Sequence, residues 1–228
     1  GLIVDRYDDI LSAQFLFAGT ERWKQAIADA LLSTTGCTRL YERSDTHARE
    51  QEGLPPSTGW LRGDGSTTAT LHEHGIRLTV DVAEGHKTGY YLDQRENRAL
   101  FARLVKQFGA KSVLNCYSYT GGFSVAALAG GATEVVSVDS SGPALAHASA
   151  HVALNGFEPA RHSVLDADVN GTLRQMLAEG RRFDAIVLDP PKFAPNAASA
   201  DRASRAYKDI NRLGLMLLNP GGLLLTFS

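Results

Sequence analysis

The 228-residue sequence is short of several things, and each shortage closes off a class of explanation. Cysteine occurs twice, as Cys37 and Cys116, which is too few for a disulfide framework and fits a reducing cytoplasm as the expected location. No apolar run approaches the roughly 20 residues that cross a bilayer, so no membrane partner is expected. The opening GLIVDRYDD lacks the basic-then-apolar pattern of a secretory signal. Excess charge is missing too: 23 Lys and Arg stand against 25 Asp and Glu, a net charge of −2. A nucleic-acid partner would have to be met by a local patch, because the chain is no bulk polycation. There is no fixed-period repeat and no low-complexity segment. His72 and His74 alternate, and His147 and His151 stand one helical turn apart. Neither pair has cysteine or carboxylate partners at ligand spacing, so no metal site is expected.

What is present is an ordinary globular composition, 43% hydrophobic and 21% charged, enough for a sizeable core. Residues 1–85 read as a small α+β domain. LIVDRY and ILSAQFLF are strand-like, and TERWKQAIADALLS carries helical spacing through Trp23, Ile27, Ala30 and Leu31. Thr20 suits the N-cap of that helix and Gly36 its stop. Residues 44–66, polar and rich in Gly, Pro and Ser, read as loop. ATLHEHGIRLTVDVAEG reads as a hairpin turning at Glu73 to Gly75.

In residues 86–228 the rhythm becomes strand–helix alternation. SVLNCY, EVVSVD, RHSVLD, FDAIVLD and GLLLTFS are strands, with helices at GGFSVAALAGG, GPALAHASAHVALNG, VNGTLRQMLAEG and roughly 199 to 218. Near-continuous apolar strands are what a parallel sheet covered on both faces requires. The fold class is α/β, a doubly wound Rossmann-like sheet preceded by the small α+β domain.

Ligands of such sheets bind beyond the carboxyl ends of the strands, so the residues there are the candidates. After the first strand comes NCYSYTGGFS, where Gly121 and Gly122 let the backbone approach a ligand as a helix begins. The third spaced glycine of a dinucleotide fingerprint is absent, which disfavours a nicotinamide-dependent oxidoreductase. Asp139 follows the second strand and suits two ribose hydroxyls. Asp166 and Asp168 follow the third, and either can accept from an adenine amino group. After the fourth comes DPPKF, residues 189–193, whose two prolines hold the chain extended and remove two N–H donors. The carbonyls of Asp189 and Pro190 can then face a flat substrate. Each piece also has a bland reading: helix packing for the glycines, N-caps for the acids, a strand-ending turn for the prolines. Their order over successive strand ends describes a site for an adenosine without pyrophosphate, and S-adenosylmethionine is the candidate cofactor.

The sequence resembles the ribosomal large-subunit RNA cytosine-5-methyltransferase family of class I S-adenosylmethionine-dependent enzymes. The likeness is carried by DVAEGHKTGYYLDQRENR (81–98), VLNCYSYTGGFSVAAL (113–128), VVSVDSS (135–141), FDAIVLDPPKF (183–193), RAYKDIN (205–211) and GGLLLTFS (221–228). The resemblance implies a cofactor site of Asn115, Tyr117, Tyr119, Thr120, Gly121, Gly122, Phe123, Asp139, Ser140, Asp168, Asp189 and Pro190, with Asp189 and Lys192 as catalytic residues. It also implies that 85–95 closes over the methionine end, with Lys87 or Arg95 available for its carboxylate. Large-subunit ribosomal RNA is the implied partner.

Carbon 5 of cytosine is a poor nucleophile, and the general solution is addition of a Cys thiolate to carbon 6 with a carboxylate near the base nitrogens. In the family that thiol follows directly after TFS, and a small RNA-binding domain precedes the matching region. The expectation is that both lie outside these 228 residues. Cys116 and Cys37 read as packing residues. Two other readings stay open: an enzyme methylating base amino groups, which needs no cysteine, and a non-catalytic RNA- or cofactor-binding module. Arg202, Arg205, Lys208 and Arg212 share one side of the last helix, as an RNA-phosphate patch or a solvated face.

Overall fold

The structure, a computed structural model, describes residues 1–193 and 200–228, and in the second stretch side chains from residue 203 onward. The chain divides into two compact units: residues 1–72 with 77–94, and residues 73–76 with 95–228. The division falls between Gln94 and Arg95 and not at residue 85, for a local reason. The Tyr7 hydroxyl accepts the Tyr90 N–H at 3.0 Å and bonds Thr88 at 3.1 Å, and Thr88 donates to Asp5 at 2.5 Å. The GHKTGYYLDQ stretch is thereby tied to the first unit.

In that unit β1 (Leu2–Tyr7), β2 (Ile10–Phe15), β3 (Arg39–Ser44) and β4 (Ser57–Arg62) form one sheet in chain order. The helical segment breaks at Trp23 into α1 (Ala18–Arg22) and α2 (Lys24–Thr35). Thr20 lies inside α1, its hydroxyl donating back to the Phe17 carbonyl at 2.8 Å, so it is not the cap. Gly36 does end α2, in the left-handed conformation. Ala28, buried on α2, packs with Leu11, Ala13, Phe15, Cys37 and Leu40. Residues 44–66 are not all loop, because they hold α3 (Ala48–Gln51) and β4. Arg49 of α3 is fully buried, donating to Glu21 at 2.8 Å and to the Pro55 carbonyl at 2.9 Å. β5 (Thr68–Glu73) and β6 (Ile76–Asp81) make the expected hairpin, turning at His74 and Gly75.

The second unit opens with α4 (Arg95–Phe108), a helix not among the sequence expectations. It is anchored by a buried bidentate pair: Arg98 reaches Glu73 at 2.5 and 2.8 Å, with neither side chain more than 4% exposed. There follow β7 (Ser112–Cys116), α5 (Gly122–Ala129), β8 (Glu134–Asp139), α6 (Gly142–Leu154), β9 (His162–Asp166), α7 (Val169–Ala178), β10 (Phe183–Leu188), α8 (Ala200–Leu217) and β11 (Leu218–Thr226). The five strands are all parallel, in the order β11-β10-β7-β8-β9.

The alternation of strand side chains sorts the faces. Leu114, Cys116, Val136, Val138, Ile186 and Leu188 pack with Leu173 and Met176 of α7 and Ile210, Leu213 and Leu217 of α8. The intervening positions Asn115 and Ser137 face α5, to which they bond. At the opposite end, Asp184 accepts from the backbone of Lys111 and Ser112 at 2.8 and 3.0 Å and from Asn219 at 2.8 Å. One carboxylate thus fastens the starts of β7, β10 and β11.

Candidate functional site

The register places the strand ends on one line: Cys116 pairs with Val138 and Leu188, Val138 with Leu165, and Leu188 with Thr226. The next residues, Tyr117, Asp139, Asp166, Asp189 and Phe227, therefore head neighbouring loops along one edge. β7 lies between β8 and β10, where the strand order reverses, and that reversal opens the crevice in which α/β sheets bind ligands.

The loop between β7 and α5 is tightly wound. Tyr117, Tyr119 and Gly121 have φ of 57°, 47° and 76°. A left-handed non-glycine residue costs about 1–2 kcal/mol, so the surroundings must hold the two tyrosines in place. They do so through backbone bonds. Ser118 N–H donates to the Val138 carbonyl at 3.1 Å and Gly121 N–H to the Ser118 carbonyl at 2.9 Å. Fully buried His151 of α6 is 2.8 Å, through Nδ1, from the Thr120 carbonyl. A Cβ on Gly121 would stand 2.6 Å from that of Ala148, so only glycine lets α6 approach this closely.

Asp139 is the centre of the arrangement. Its Oδ2 accepts Tyr119 N–H at 2.8 Å and its Oδ1 accepts Ser141 N–H at 3.0 Å. Each oxygen keeps a lone pair for a further donor, as a diol requires. Within the loop, the hydroxyls of Ser118 and Thr120 are buried yet have no hydrogen-bond partner among the described residues. A buried hydroxyl left in that condition costs about 1–3 kcal/mol, which a polar ligand would relieve. A carboxylate able to take a diol and two unpaired hydroxyls beside a helix start fit the polar groups of S-adenosylmethionine.

The other expected residues take varied places. Asp168 is the N-cap of α7, accepting Gly171 N–H at 2.7 Å through Oδ2. Asp166 is exposed, its Oδ2 beside Gly142. Asn115 is 1% exposed and donates to the Ser124 hydroxyl at 2.8 Å, so its amide serves the sheet–helix interface. Phe123 packs between Phe101 and Phe227, with ring centroids at 5.9 and 5.7 Å. Gly122 is buried in the first turn of α5, and Ser140 is exposed between Asp139 and Ser141. Lys87 is held by Asp93 at 3.1 Å and lies over the Tyr91 ring. Arg95 stands 3.3 Å from Glu96 and lines a pocket with Ala126 and Ala129 in the second half of α5.

Beyond β10, Asp189 N–H lies 3.5 Å from the Cys116 carbonyl, Pro190 is half-buried, and Lys192 is exposed. Phe193 packs between Tyr117 and Tyr207, with centroids at 6.4 and 4.8 Å, and its N–H faces the Tyr207 hydroxyl at 3.5 Å. This aromatic group was not foreseen from sequence. Its only signal was Tyr207 beside the apolar face of Ala203, Ala206, Ile210, Leu213 and Leu217. Burial raises the Tyr117 hydroxyl pKa, and Cys116 and Asp168 push it the same way. Cys116 is fully buried, and burial drives its thiol pKa far up, leaving no thiolate. Cys37 is buried in the first unit's core.

On α8, Arg212 pairs with Asp209 at 3.2 Å, and Asp209 also takes Arg174 of α7. The Arg202 side chain lies outside the described residues. Among the described residues no group of three or more His, Cys, Asp or Glu side chains could hold a metal ion. No helix among them is long and apolar enough to cross a membrane.

Comparison with known proteins agrees with this geometry. A family model described as S-adenosylmethionine-dependent methyltransferase matches residues 25–227. The chain is 48% identical over 230 residues to ribosomal RNA large subunit methyltransferase I of Shewanella denitrificans, and 46% identical over 231 residues to the protein of that name from Vibrio cholerae. Each match takes in 100% of this chain and 57% of the relative, so the chain spans little more than half the length of these curated relatives. An S-adenosylmethionine-dependent methyltransferase from Streptococcus mutans superposes with a TM-score of 0.82 at 28% identity, over 99% of this chain and 56% of that one. A similar solved methyltransferase, with the same score and identity over 99% and 57%, is complexed with S-adenosylhomocysteine. The chain belongs to the S-adenosylmethionine-dependent methyltransferase family.

Proposed function

We propose that these 228 residues carry the methyl-donor site of an RNA methyltransferase that forms 5-methylcytosine in large-subunit ribosomal RNA, in the cytoplasm. The observation that carries the cofactor half is Asp139, bound to the wound loop after β7 at the reversal of strand order. Asp139 would hold the ribose hydroxyls. Asp168 or Asp166 would accept from the adenine amino group, and the Ser118 and Thr120 hydroxyls would meet the polar amino-acid end. When bound, the cofactor supplies an electrophilic methyl group.

The residues beyond β10 fit the other half. Asp189 brings a carboxylate to the edge where a base ring nitrogen could be hydrogen-bonded, and Pro190 keeps the backbone extended there. Tyr117, Phe193 and Tyr207 give an aromatic surface for a base taken out of its stack. The nucleophilic thiol is supplied by neither cysteine present, since both are buried. The proposal is therefore that the 228 residues bind cofactor without completing cytosine-5 methylation. The relatives' name and the TFS stretch support ribosomal RNA and the carbon target.

Nucleoside mass spectrometry of ribosomal RNA incubated with the chain and S-adenosylmethionine tests this. The expected result is no 5-methylcytosine from the 228 residues, and its appearance once the chain is extended by the relatives' following segment. An amino-methylated base produced by the 228 residues would overturn the reading in favour of nitrogen methylation.

A further inference from the structure

A chain of four polar side chains crosses the sheet beneath the loop that follows β7. Asn115 donates through Nδ2 to the Ser124 hydroxyl at 2.8 Å, Ser124 and Ser137 hydroxyl oxygens are 2.7 Å apart, and Ser137 Oγ is 2.8 Å from His162 Nε2. Asn115, Ser124 and Ser137 are buried, while His162 is partly exposed. Asn115 and Ser124 are the two stems of the loop, so their bond closes the base of the segment holding the left-handed Tyr117, Tyr119 and Gly121.

Donor counting leaves two self-consistent directions for the chain. An amide NH₂ only donates. The Ser124 O–H must then donate to Ser137, and the Ser137 O–H to a bare Nε2, with the ring proton on Nδ1. The opposite direction also closes: Nε2–H to Ser137, Ser137 to Ser124, and Ser124 to Asn115 Oδ1, with the carboxamide turned over. A mixed order strands the Ser124 hydroxyl proton in a buried site, at the cost of an unmade hydrogen bond.

We infer that Ser137 and His162 are positioning residues: the protonation of His162, passed through Ser137 and Ser124, sets which way the Asn115 carboxamide lies at the base of the loop and hence the loop's affinity for the methyl donor. Only that last clause rests on the proposed cofactor site. Burial holds the His162 pKa below the ordinary imidazole value, so the ring is neutral at neutral pH and its protonation falls in the acid range. The Asn115 amide donating to Ser124 corresponds to the bare-Nε2 order, and a proton on Nε2 requires the reversed one. Several of the charged groups on the surrounding elements are engaged elsewhere. Arg161 donates to the Ala132 carbonyl, Glu134 faces Arg181 at 3.8 Å, Asp139 takes the loop, and His151 meets the Thr120 carbonyl. Glu158 precedes Arg161, His147 lies on α6 a turn before His151, and Asp166 ends His162's own strand.

NMR of the full chain without ligand tests the coupling. The ¹⁵N shift of His162 Nε2 should be that of a bare ring nitrogen at neutral pH. On acidification the Asn115 side-chain NH₂ signals should move with the midpoint of the ring. In Ser137→Ala they should cease to follow it, and in His162→Gln, which keeps an amide partner but does not titrate, they should become independent of pH. S-adenosylhomocysteine should bind the wild type about fivefold more weakly below that midpoint, the worth of one net hydrogen bond, and Ser137→Ala without that dependence. A protonated Nε2 at neutral pH, Asn115 signals indifferent to the ring, or identical pH profiles in wild type and Ser137→Ala would overturn the inference. Failure of the folded chain to bind S-adenosylhomocysteine at any pH would count against the cofactor site and the predicted effect on affinity, while the NMR coupling still decides the polar chain.

Discussion

Replacing Gly121 by alanine separates two physical costs that meet in the loop. The first is conformational: φ is 76°, and an alanine forced into that region loses about 1–2 kcal/mol. The second is steric. The new Cβ would stand 2.6 Å from the Ala148 Cβ and 3.0 Å from its Cα, on a helix backbone that cannot swing aside. Overpacking of that kind adds about 1–3 kcal/mol. The expected loss is therefore about 2–5 kcal/mol out of a total of ~5–15 kcal/mol. Gly156→Ala is the matched control, because φ there is 73° and nothing lies within 4 Å of the added Cβ, leaving the conformational cost alone. Urea unfolding followed by far-UV circular dichroism reads both. Trp23 and Trp60 belong to the first unit, so the tryptophan fluorescence transition serves as an internal reference. If the two variants lost the same stability within about 0.5 kcal/mol, the close approach of α6 to the loop would be refuted.

Three further outcomes follow from paired and buried groups. Arg98→Met should destabilise by about 3–5 kcal/mol by leaving Glu73 buried and unpaired, and adding Glu73→Leu should restore most of the loss, measured by the same urea titration. Asp184 has a lowered pKa because it accepts backbone N–H groups from Ser112 and Lys111 and the Asn219 amide, so it stabilises the fold above its unfolded pKa near 3.8 and loses that contribution as pH falls through the folded value. Wild type and Asp184→Asn should accordingly differ at pH 7 and converge in acid, and a gap that persisted at low pH would contradict this. Cys116 should resist a thiol reagent at pH 8 in the native chain and react only in urea, with modification mapped by peptide mass spectrometry.

The parallel sheet was legible because its strands are apolar runs bounded by glycine, proline and acids, all local signals. The Asp139 placement was legible because it follows a strand directly. What stayed hidden depends on partners far away in sequence. STGWLR of β4 looks like loop until β3 pairs with it. Arg49 looks exposed until Glu21 neutralises it. α4 was not anticipated because half of its residues are polar and its anchor Glu73 lies in the preceding hairpin. Asn115 was placed in the cofactor loop by the resemblance, and the fold adds that its amide donates to Ser124, nine residues on, in the interior. Arg95 and Lys87, offered to a carboxylate, each stand beside an acid on the surface. The aromatic group of Tyr117, Phe193 and Tyr207 unites three segments whose proximity only the fold creates.

The central claim is a methyl-donor site organised by Asp139, and calorimetric titration with S-adenosylhomocysteine tests it most directly. The wild-type chain should bind, and Asp139→Ala should bind at least about tenfold more weakly, as loss of hydrogen bonds to a charged group requires. A well-folded wild type that takes up no S-adenosylhomocysteine, or an Asp139→Ala variant with undiminished affinity, would contradict it.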